Sequence, residues 1–248
     1  MNKIILPLFL ILINVICHSQ VNNGVIIYGK VNATMDLKTI PVDFREKIEK
    51  SNKESDKIEY TLNFVGNESY FFANPVLLEN NTLFGNYVVI GGGKLKYYQN
   101  QKTKEYREYK DSRRTGINII NNRENYDWKL TNESKTIDGR ICYKATSPQI
   151  NQDGIRSTDP KFDIIAWYTP EIPVSLGPLG YGDLPGLILE LQKPLVTYFV
   201  KKINLNLETS PKINKLLDIK AISQETYHEM VMGTFNNEQL KVIEDSKK

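Results

Sequence analysis

The passage from Pro170 to Gly186 constrains the fold of this chain more than any other stretch. It contains four prolines and four glycines. Proline fixes φ and lacks a backbone donor, so neither a helix nor a central strand can run through the passage. Glycine permits positive φ. The sequence therefore predicts a series of tight turns with apolar residues between them, ordered at a low entropic cost because proline already restricts the unfolded chain.

Strand-like stretches lie on both sides of this passage. Between Ile58 and Val65 every second residue is apolar, which is the period-2 pattern of a half-buried strand. Asp138-Gly139 is a hairpin turn signal between two further stretches. By composition, strands are also predicted at residues 25–31, 69–72, 87–90, 128–130, 141–146, 164–168, 187–191 and 197–200.

Two helices are predicted at the margins of these strands. One lies within residues 41–57, with Asp43 as its cap, and the other begins at Ser223. Strands at short spacing with few helices predict a mainly β (α+β) fold. We expect a strongly curved antiparallel sheet or half-barrel with one or two peripheral helices, one of them C-terminal. Because no linker or repeat divides the chain, residues 20–248 are expected to form a single β-rich envelope domain.

The first nineteen residues have the features of a cleavable signal peptide. Lys3 precedes an apolar run that ends at Cys17 and is shorter than the roughly 20 residues a membrane helix needs. Cleavage between Ser19 and Gln20 leaves small residues at the positions that require them. The alternative is a lipoprotein anchored at Cys17, which Ile16 just before it disfavours. We therefore expect export to the periplasm or cell envelope.

Composition excludes several classes of function. The formal net charge of +3, of which Lys3 contributes one, lacks the basic excess of a nucleic-acid-binding protein. Cys142 is the one cysteine that remains after cleavage, and the whole chain has two histidines, too few ligands for a zinc site of His and Cys. Calcium bound by carboxylates stays possible, although the sequence has no D-x-[DN]-x-[DN]-G loop. We expect no metal, no cofactor and no nucleic acid. No later apolar run is long enough to form a transmembrane segment.

The segment Leu184-Pro185-Gly186-Leu187-Ile188 resembles the core of the bacterial GLPGLI family. Trp128-Lys129-Leu130, Asp138-Gly139 and Cys142-Tyr143-Lys144-Ala145 resemble the paired strands ahead of that motif, and the resemblance covers roughly residues 25–205. Asp183 stands where the family has its first glycine, and aspartate tolerates the left-handed conformation better than most residues. The resemblance implies an exported Bacteroidetes protein with this fold, and it implies no established activity.

Two hypotheses about function remain. Trp167 and Tyr168 beside the turn passage suit an apolar groove, which predicts a non-enzymatic binding or interaction module for an apolar ligand, a peptide or a partner protein. The alternative is a carboxylate-dependent envelope hydrolase that uses Glu171, Asp183 and Glu190. The candidate binding residues are Trp167, Tyr168, Pro173, Gly177, Pro178, Asp183, Leu184, Pro185, Gly186 and Leu187. An envelope protein, a peptide or a lipid is the expected partner.

Two other stretches do not have the residues that a chemical function would require. Gly91-Gly92-Gly93-Lys94 is not a phosphate-binding loop, because Val88 occupies the position of its first glycine and Leu95 that of its hydroxyl residue. The Tyr-, Lys- and Glu-rich stretch of residues 94–114 is typical of a solvated strand pair or sheet edge. Cys142 is expected to be a buried structural residue, since free cysteine is among the most buried residue types.

Overall fold

The computed structural model describes residues 21–32, 45–46, 49, 52–53, 56–75, 94–112, 115–121, 126–148, 163–194 and 196–233. Twelve strands within these residues form one sheet. They are β1 (Asn23–Asn32), β2 (Tyr60–Val65), β3 (Glu68–Ala73), β4 (Lys96–Asn100), β5 (Glu105–Ser112), β6 (Gly116–Asn121), β7 (Lys129–Ile137), β8 (Arg140–Ser147), β9 (Ile164–Thr169), β10 (Leu187–Lys193), β11 (Val196–Leu205) and β12 (Ile222–Ser223).

The strand order is β12-β6-β5-β4-β3-β2-β1-β11-β10-β9-β8-β7. Every neighbouring pair is antiparallel except β12 and β6, which are parallel. Strand β1 lies between the two halves of the sheet, with Ile26 opposite Leu62 of β2 on one side and Ile203 of β11 on the other. The prediction of a mainly β fold with an antiparallel sheet is confirmed.

Local sequence signals correspond to the observed strands. The alternating apolar residues of the second predicted strand, Ile58, Tyr60, Leu62 and Phe64, are each at most 1% exposed. Asp138 and Gly139 form the turn between β7 and β8, and both have positive φ, 50° and 72°. Two successive positive φ angles are typical of the type I′ turn, whose twist matches that of a hairpin.

Both faces of the sheet are covered around β3, β4 and β6, which the sequence did not indicate. Tyr97 and Tyr98 are neighbours in β4 and therefore point to opposite faces. Tyr97 packs against the main core. Tyr98 lies in a second, smaller cluster that includes Ile119 of β6 and Leu216 from the irregular segment after β11. Since residues on both faces are buried, a strict apolar–polar alternation is lost in this half of the sheet.

The C-terminal helix is present, and residues 224–233 are helical. Ser223 caps it, because the Thr226 amide donates to Ser223 Oγ at 3.0 Å, as predicted. In the helix predicted for residues 41–57, the described residues Arg45, Glu46, Glu49, Asn52 and Lys53 are helical, whereas Asp56 and Lys57 form a turn; the others lie outside the described residues. The predicted signal peptide, the strand predicted at 87–90 and residues 91–93 also lie outside them.

The interpretation of residues 94–114 as a solvated pair or sheet edge is wrong in one respect. Strands β4 and β5 pair as expected, but they lie inside the sheet, between β3 and β6. Gln99 and Glu108 are 4% and 5% exposed. The polar composition suggested exposure to solvent, but the turn passage covers this part of the sheet, as described below.

Candidate functional site

A cavity of about 200 Å³ lies between strands β4 and β5 and the turn passage. We call it the β4–β5 cavity. Ser175, Leu179, Gly180, Tyr181, Gly182 and Asp183 of the passage form one wall. The facing wall comes from the sheet and includes Tyr97, Gln99, Gln101, Tyr106, Glu108 and Lys110, while Tyr126, Lys193 and Gln224 complete the lining together with Tyr98 and Arg107.

Hydrogen bonds from the turn passage to neighbouring strands hold its wall of the cavity in place. The Leu187 amide donates to Ile172 O at 3.0 Å, and the Ile188 amide donates to Leu176 O at 2.9 Å, so the passage folds back along the start of β10. At its far side, Gln101 Nε2 of the β4–β5 turn donates to Ser175 O at 2.6 Å. The passage is therefore an ordered cover tied to strands on both sides of the cavity.

Trp128 and Tyr126 hold the middle of the turn passage in place. Trp128 Nε1 donates to Gly182 O at 2.9 Å. The rings of Tyr126 and Tyr181 stack with centroids 4.4 Å apart and an interplanar angle of 18°. Trp128 is the first residue of the strand predicted at 128–130, but it directly precedes β7, and its indole fixes a backbone carbonyl of the cavity wall.

Three residues of the passage depend on backbone features that few side chains tolerate. A Cβ atom at Gly182 would lie 2.4 Å from Ser175 O, and one at Gly186 would lie 2.1 Å from Thr169 O. Asp183, between them, has φ of 61°. This is the left-handed conformation that aspartate tolerates better than most residues.

Gln99 gives the cavity an unusual buried donor. The residue is 4% exposed, and its Nε2 atom is buried without a hydrogen-bond partner in the described part of the chain. A buried polar group left unpaired costs about 1–3 kcal/mol. Few such groups occur in native proteins, and each one calls for an explanation.

Glu108 gives the cavity a buried carboxylate. Its Oε1 accepts hydrogen bonds from Tyr97 Oη at 2.8 Å and from Lys110 Nζ. Burial, and then the adjacent Glu108 charge, raise the pKa of the Tyr97 hydroxyl well above its usual value. Tyr97 therefore stays protonated and donates to the carboxylate at neutral pH.

The structure places the residues predicted as a binding site in different surroundings. Of the ten, Asp183 lines the β4–β5 cavity, where it is exposed. Gly177, Pro178, Leu184, Gly186 and Leu187 are buried and pack the passage against the sheet, whereas Pro173 and Pro185 are exposed. For the residues that do not line the cavity, a direct binding role stays a prediction.

Trp167 and Tyr168 point to opposite faces of β9. Tyr168 lies opposite Tyr143 of β8, and their ring centroids are 6.2 Å apart. Trp167 lies under the ammonium group of Lys135, which is 4.4 Å from the ring centroid and also pairs with Glu190 at 2.8 Å. The two aromatic residues therefore do not line one shared groove.

The three carboxylates of the predicted hydrolase make separate contacts. Glu190 Oε2 pairs with Lys135, and its Oε1 accepts from Gln192 Nε2 at 2.5 Å. Glu171 Oε1 accepts from the Ile141 amide at 3.1 Å. Asp183 faces the β4–β5 cavity, which it shares with Glu108. The carboxylate pair of this cavity is therefore Asp183 and Glu108. The sequence predicted Asp183 as a site residue, but it did not predict Glu108.

Cys142 is a buried free cysteine, as expected. Burial raises the pKa of its thiol to about 11, so the thiolate is scarce at neutral pH. Among the described residues, no three His, Cys, Asp or Glu side chains form a group that could hold a metal ion. Across the same parts of the chain, no helix combines the length and the apolar character needed to cross a membrane.

Comparison with known proteins identifies a family match over part of the chain and a shared fold. A family model described as a protein of unknown function (Porph_ging) matches residues 149–190, which include the turn passage. The structures of PNGF-II in the C2 and P21 space groups align with 86% of this chain, with TM-scores of 0.52 and 0.51 and sequence identities of 13% and 14%. The chain spans about a third of PNGF-II, 33% and 34% of its length in the two structures. No curated protein gives a match.

Proposed function

We propose that this chain is an exported cell-envelope protein that binds, without catalysis, a peptide or a segment of a partner protein in the β4–β5 cavity. The observation that carries the proposal is the buried, unpaired amide of Gln99 in the cavity wall. A ligand that supplies a hydrogen-bond acceptor removes the cost of that unpaired donor, which is about 1–3 kcal/mol in the free protein. That free energy then favours the complex over the free protein.

The size and the lining of the cavity favour a peptide over a lipid. Its volume of about 200 Å³ is below the roughly 300–1,000 Å³ of sites that enclose a whole small molecule, so it fits one residue of a longer ligand. Glu108, Gln99 and Lys110 in its lining would each lose hydration against a hydrocarbon chain without gaining a partner. Of the expected ligands, a peptide or partner segment therefore fits best.

The proposal includes three features inferred from the sequence. Residues 1–19 act as a signal peptide, residues 20–248 form one envelope domain, and the chain is of the GLPGLI type. It also includes strong curvature of the sheet. In support of curvature, the β4–β5 turn bonds to the β9–β10 connection through Gln101 and Ser175. In the strand order β4 and β10 are separated by β3, β2, β1 and β11.

A carboxylate-dependent hydrolase is the second candidate, because Asp183 and Glu108 line the same cavity. Glycoside hydrolases use such a pair at separations of about 5–10 Å. Conversion of either residue to its amide preserves shape and removes the charge. In a hydrolase, Asp183→Asn and Glu108→Gln would each abolish turnover of a captured substrate while the substrate stays bound.

The experiment that tests the binding proposal is capture from an envelope extract by residues 20–248. Wild type, Glu108→Gln and Glu208→Gln serve as baits, and Glu208 is an exposed residue outside the cavity lining. We expect the same partner from wild type and Glu208→Gln, at least fivefold depleted with Glu108→Gln. Equal recovery by all three folded baits, or recovery of nothing above background, would contradict the proposal.

A further inference from the structure

Resting on the proposed function, we propose that the group bound in the β4–β5 cavity is the uncharged carboxamide of an asparagine or glutamine side chain in the peptide. A carboxamide offers one carbonyl acceptor and an NH₂ donor on the same planar group. On the face of β4 and β5 that carries Tyr97, the cavity presents the complementary set: the donor Gln99 Nε2 and the acceptor Glu108 Oε2.

The donor of the cavity is Gln99 Nε2. It is buried and makes no hydrogen bond within the described part of the protein, although its residue is held at 4% exposure in the middle of the sheet. The side chain belongs to the cavity lining, so a ligand carbonyl oxygen is the natural acceptor. Binding of that oxygen gives the amide the partner that the protein itself does not provide.

The acceptor of the cavity is the second oxygen of Glu108. Both bonds from neighbouring side chains, those of Tyr97 and Lys110, go to Oε1, and Oε2 receives no bond from any described residue. Tyr97 pairs directly with Glu108 across β4 and β5, so Gln99, two residues further along, is a diagonal neighbour on the same face. Diagonal neighbours are roughly 7–8 Å apart, which leaves room for a small planar group between the ends of the two side chains.

The charges around the cavity favour an uncharged ligand group. Two carboxylates, Glu108 and Asp183, are matched by two ammonium groups, Lys110 and Lys193. Arg107 also lines the cavity, and its guanidinium donates to Lys215 O at 2.8 Å and pairs with Glu105. Its Nε atom is buried without a partner among the described residues, but Arg107 pairs with Tyr98 and so points to the face opposite Gln99 and Glu108. A charged ligand group would add a charge that no group of the lining compensates, and burying a charge without a partner is costly.

The aromatic walls suit a flat, polar group. The stacked rings of Tyr126 and Tyr181 lie in the lining, beside the Lys193 ammonium group, which is 5.5 Å from the Tyr181 ring centroid. Planar amides pack against such rings while their edges stay available for hydrogen bonds. An aliphatic side chain could use the rings, but it would leave Gln99 and Glu108 unpaired.

The test is titration calorimetry of residues 20–248 with four capped tripeptides. They are acetyl-Ala-X-Ala-amide with Asn, Gln, Asp or Leu at X, so that the backbone amides are common to all. We expect binding with Asn or Gln at X, and at least tenfold weaker binding with Asp or Leu. Equal binding of the four peptides would overturn the proposal, as would the absence of binding by all four.

Two variants assign the effect to the cavity. Gln99→Met keeps the volume and removes the donor, so we expect loss of Asn-peptide binding together with a higher Tm, because the unpaired amide is gone. Glu108→Gln should weaken the same peptide at least tenfold and serves if Gln99→Met does not fold. Unchanged Asn-peptide affinity in either folded variant would overturn the proposal.

The two proposals fail in different ways. If the tripeptides do not bind but capture from the envelope extract still depends on Glu108, the carboxamide proposal is wrong and the binding function stands. If capture is also independent of Glu108, both proposals are wrong.

Discussion

The hydroxyl group of Tyr28 donates a hydrogen bond to the carbonyl oxygen of Ile188 at 2.7 Å. The two residues belong to β1 and β10, which are separated in the sheet by β11. Both residues are fully buried. This bond reaches the strand that follows the turn passage, so the central strand of the sheet supports one anchor of the cavity wall directly.

Removal of that hydroxyl is expected to destabilise the protein. Tyr28→Phe leaves the Ile188 carbonyl without this donor in a buried site and should lower the free energy of unfolding by about 1–2 kcal/mol. Urea denaturation at pH 7 measures the change. As control, Tyr143→Phe alters a ring that is 39% exposed and should change stability by less than about 0.5 kcal/mol. Equal effects of the two variants would contradict the role of the bond.

Buried tyrosines are expected to make the protein sensitive to alkali. Burial raises the pKa of Tyr98 and Tyr198 to about 12, and it also raises those of Tyr28 and Tyr60. Above pH 10 the unfolded chain therefore loses tyrosine protons that the folded chain keeps, so stability falls as pH rises.

Each such tyrosine contributes up to about 1.4 kcal/mol per pH unit while its folded form stays protonated. The Cys142 thiol, with its pKa raised to about 11 from 9.0, starts the same fall about one unit earlier. We expect urea midpoints to be nearly constant from pH 7 to 8.5 and to fall steeply between pH 10 and 11. A midpoint that holds up to pH 11 would show that these groups ionise equally in both states.

A methyl group at Gly186 is expected to disrupt the turn passage. Its Cβ would lie 2.1 Å from the backbone oxygen of Thr169, which cannot move without displacing the end of β9. Gly186→Ala should therefore cost about 2–3 kcal/mol or more. Gly233→Ala is the matched control, because a Cβ there meets nothing within 4 Å and alanine favours the C-terminal helix. Thermal unfolding of both variants measures the difference, and a Gly186→Ala protein as stable as wild type would refute the close approach.

The amino terminus of the mature protein tests the proposed export. Mass spectrometry of the protein from an envelope fraction should find Gln20 as the first residue, because cleavage after Ser19 satisfies the small-residue rule. A lipid-modified amino terminus at Cys17 would instead support the lipoprotein alternative. Retention of Met1 in all of the protein would contradict export through a cleaved signal.

Local signals predicted the parts of the fold that depend on neighbouring residues. The alternation around Tyr60 and Leu62 and the Asp138-Gly139 turn each specify their own strand or hairpin, and both occur in the structure. Strand β6 was not predicted. Its adjacent residues Ile119 and Ile120 are both buried, because both faces of the sheet are covered there, and this removes the period-2 pattern.

The cavity could not be read from the sequence because its two walls are distant in the chain. Gln101 and Ser175, which bond across it, are 74 residues apart. Gln99 and Glu108 lie among tyrosines and lysines, a composition that suggests solvent, and only the covering passage makes them buried. Asp183 was found because it interrupts a recognisable motif, which is a signal independent of its neighbours in space.

The order of the strands also fixes when the sheet can be completed. In the sheet, strands β2 to β6 are joined to strands β7 to β10 by the pairing of β1 with β11. These two strands pair from Gly24 and Leu205 at one end to Asn32 and Val196 at the other. On a ribosome β1 emerges early, yet its partner appears more than 160 residues later. Such distant pairing slows folding. The growing polypeptide therefore keeps an unclosed seam until β11 has been synthesised, a state that is compatible with the proposed export.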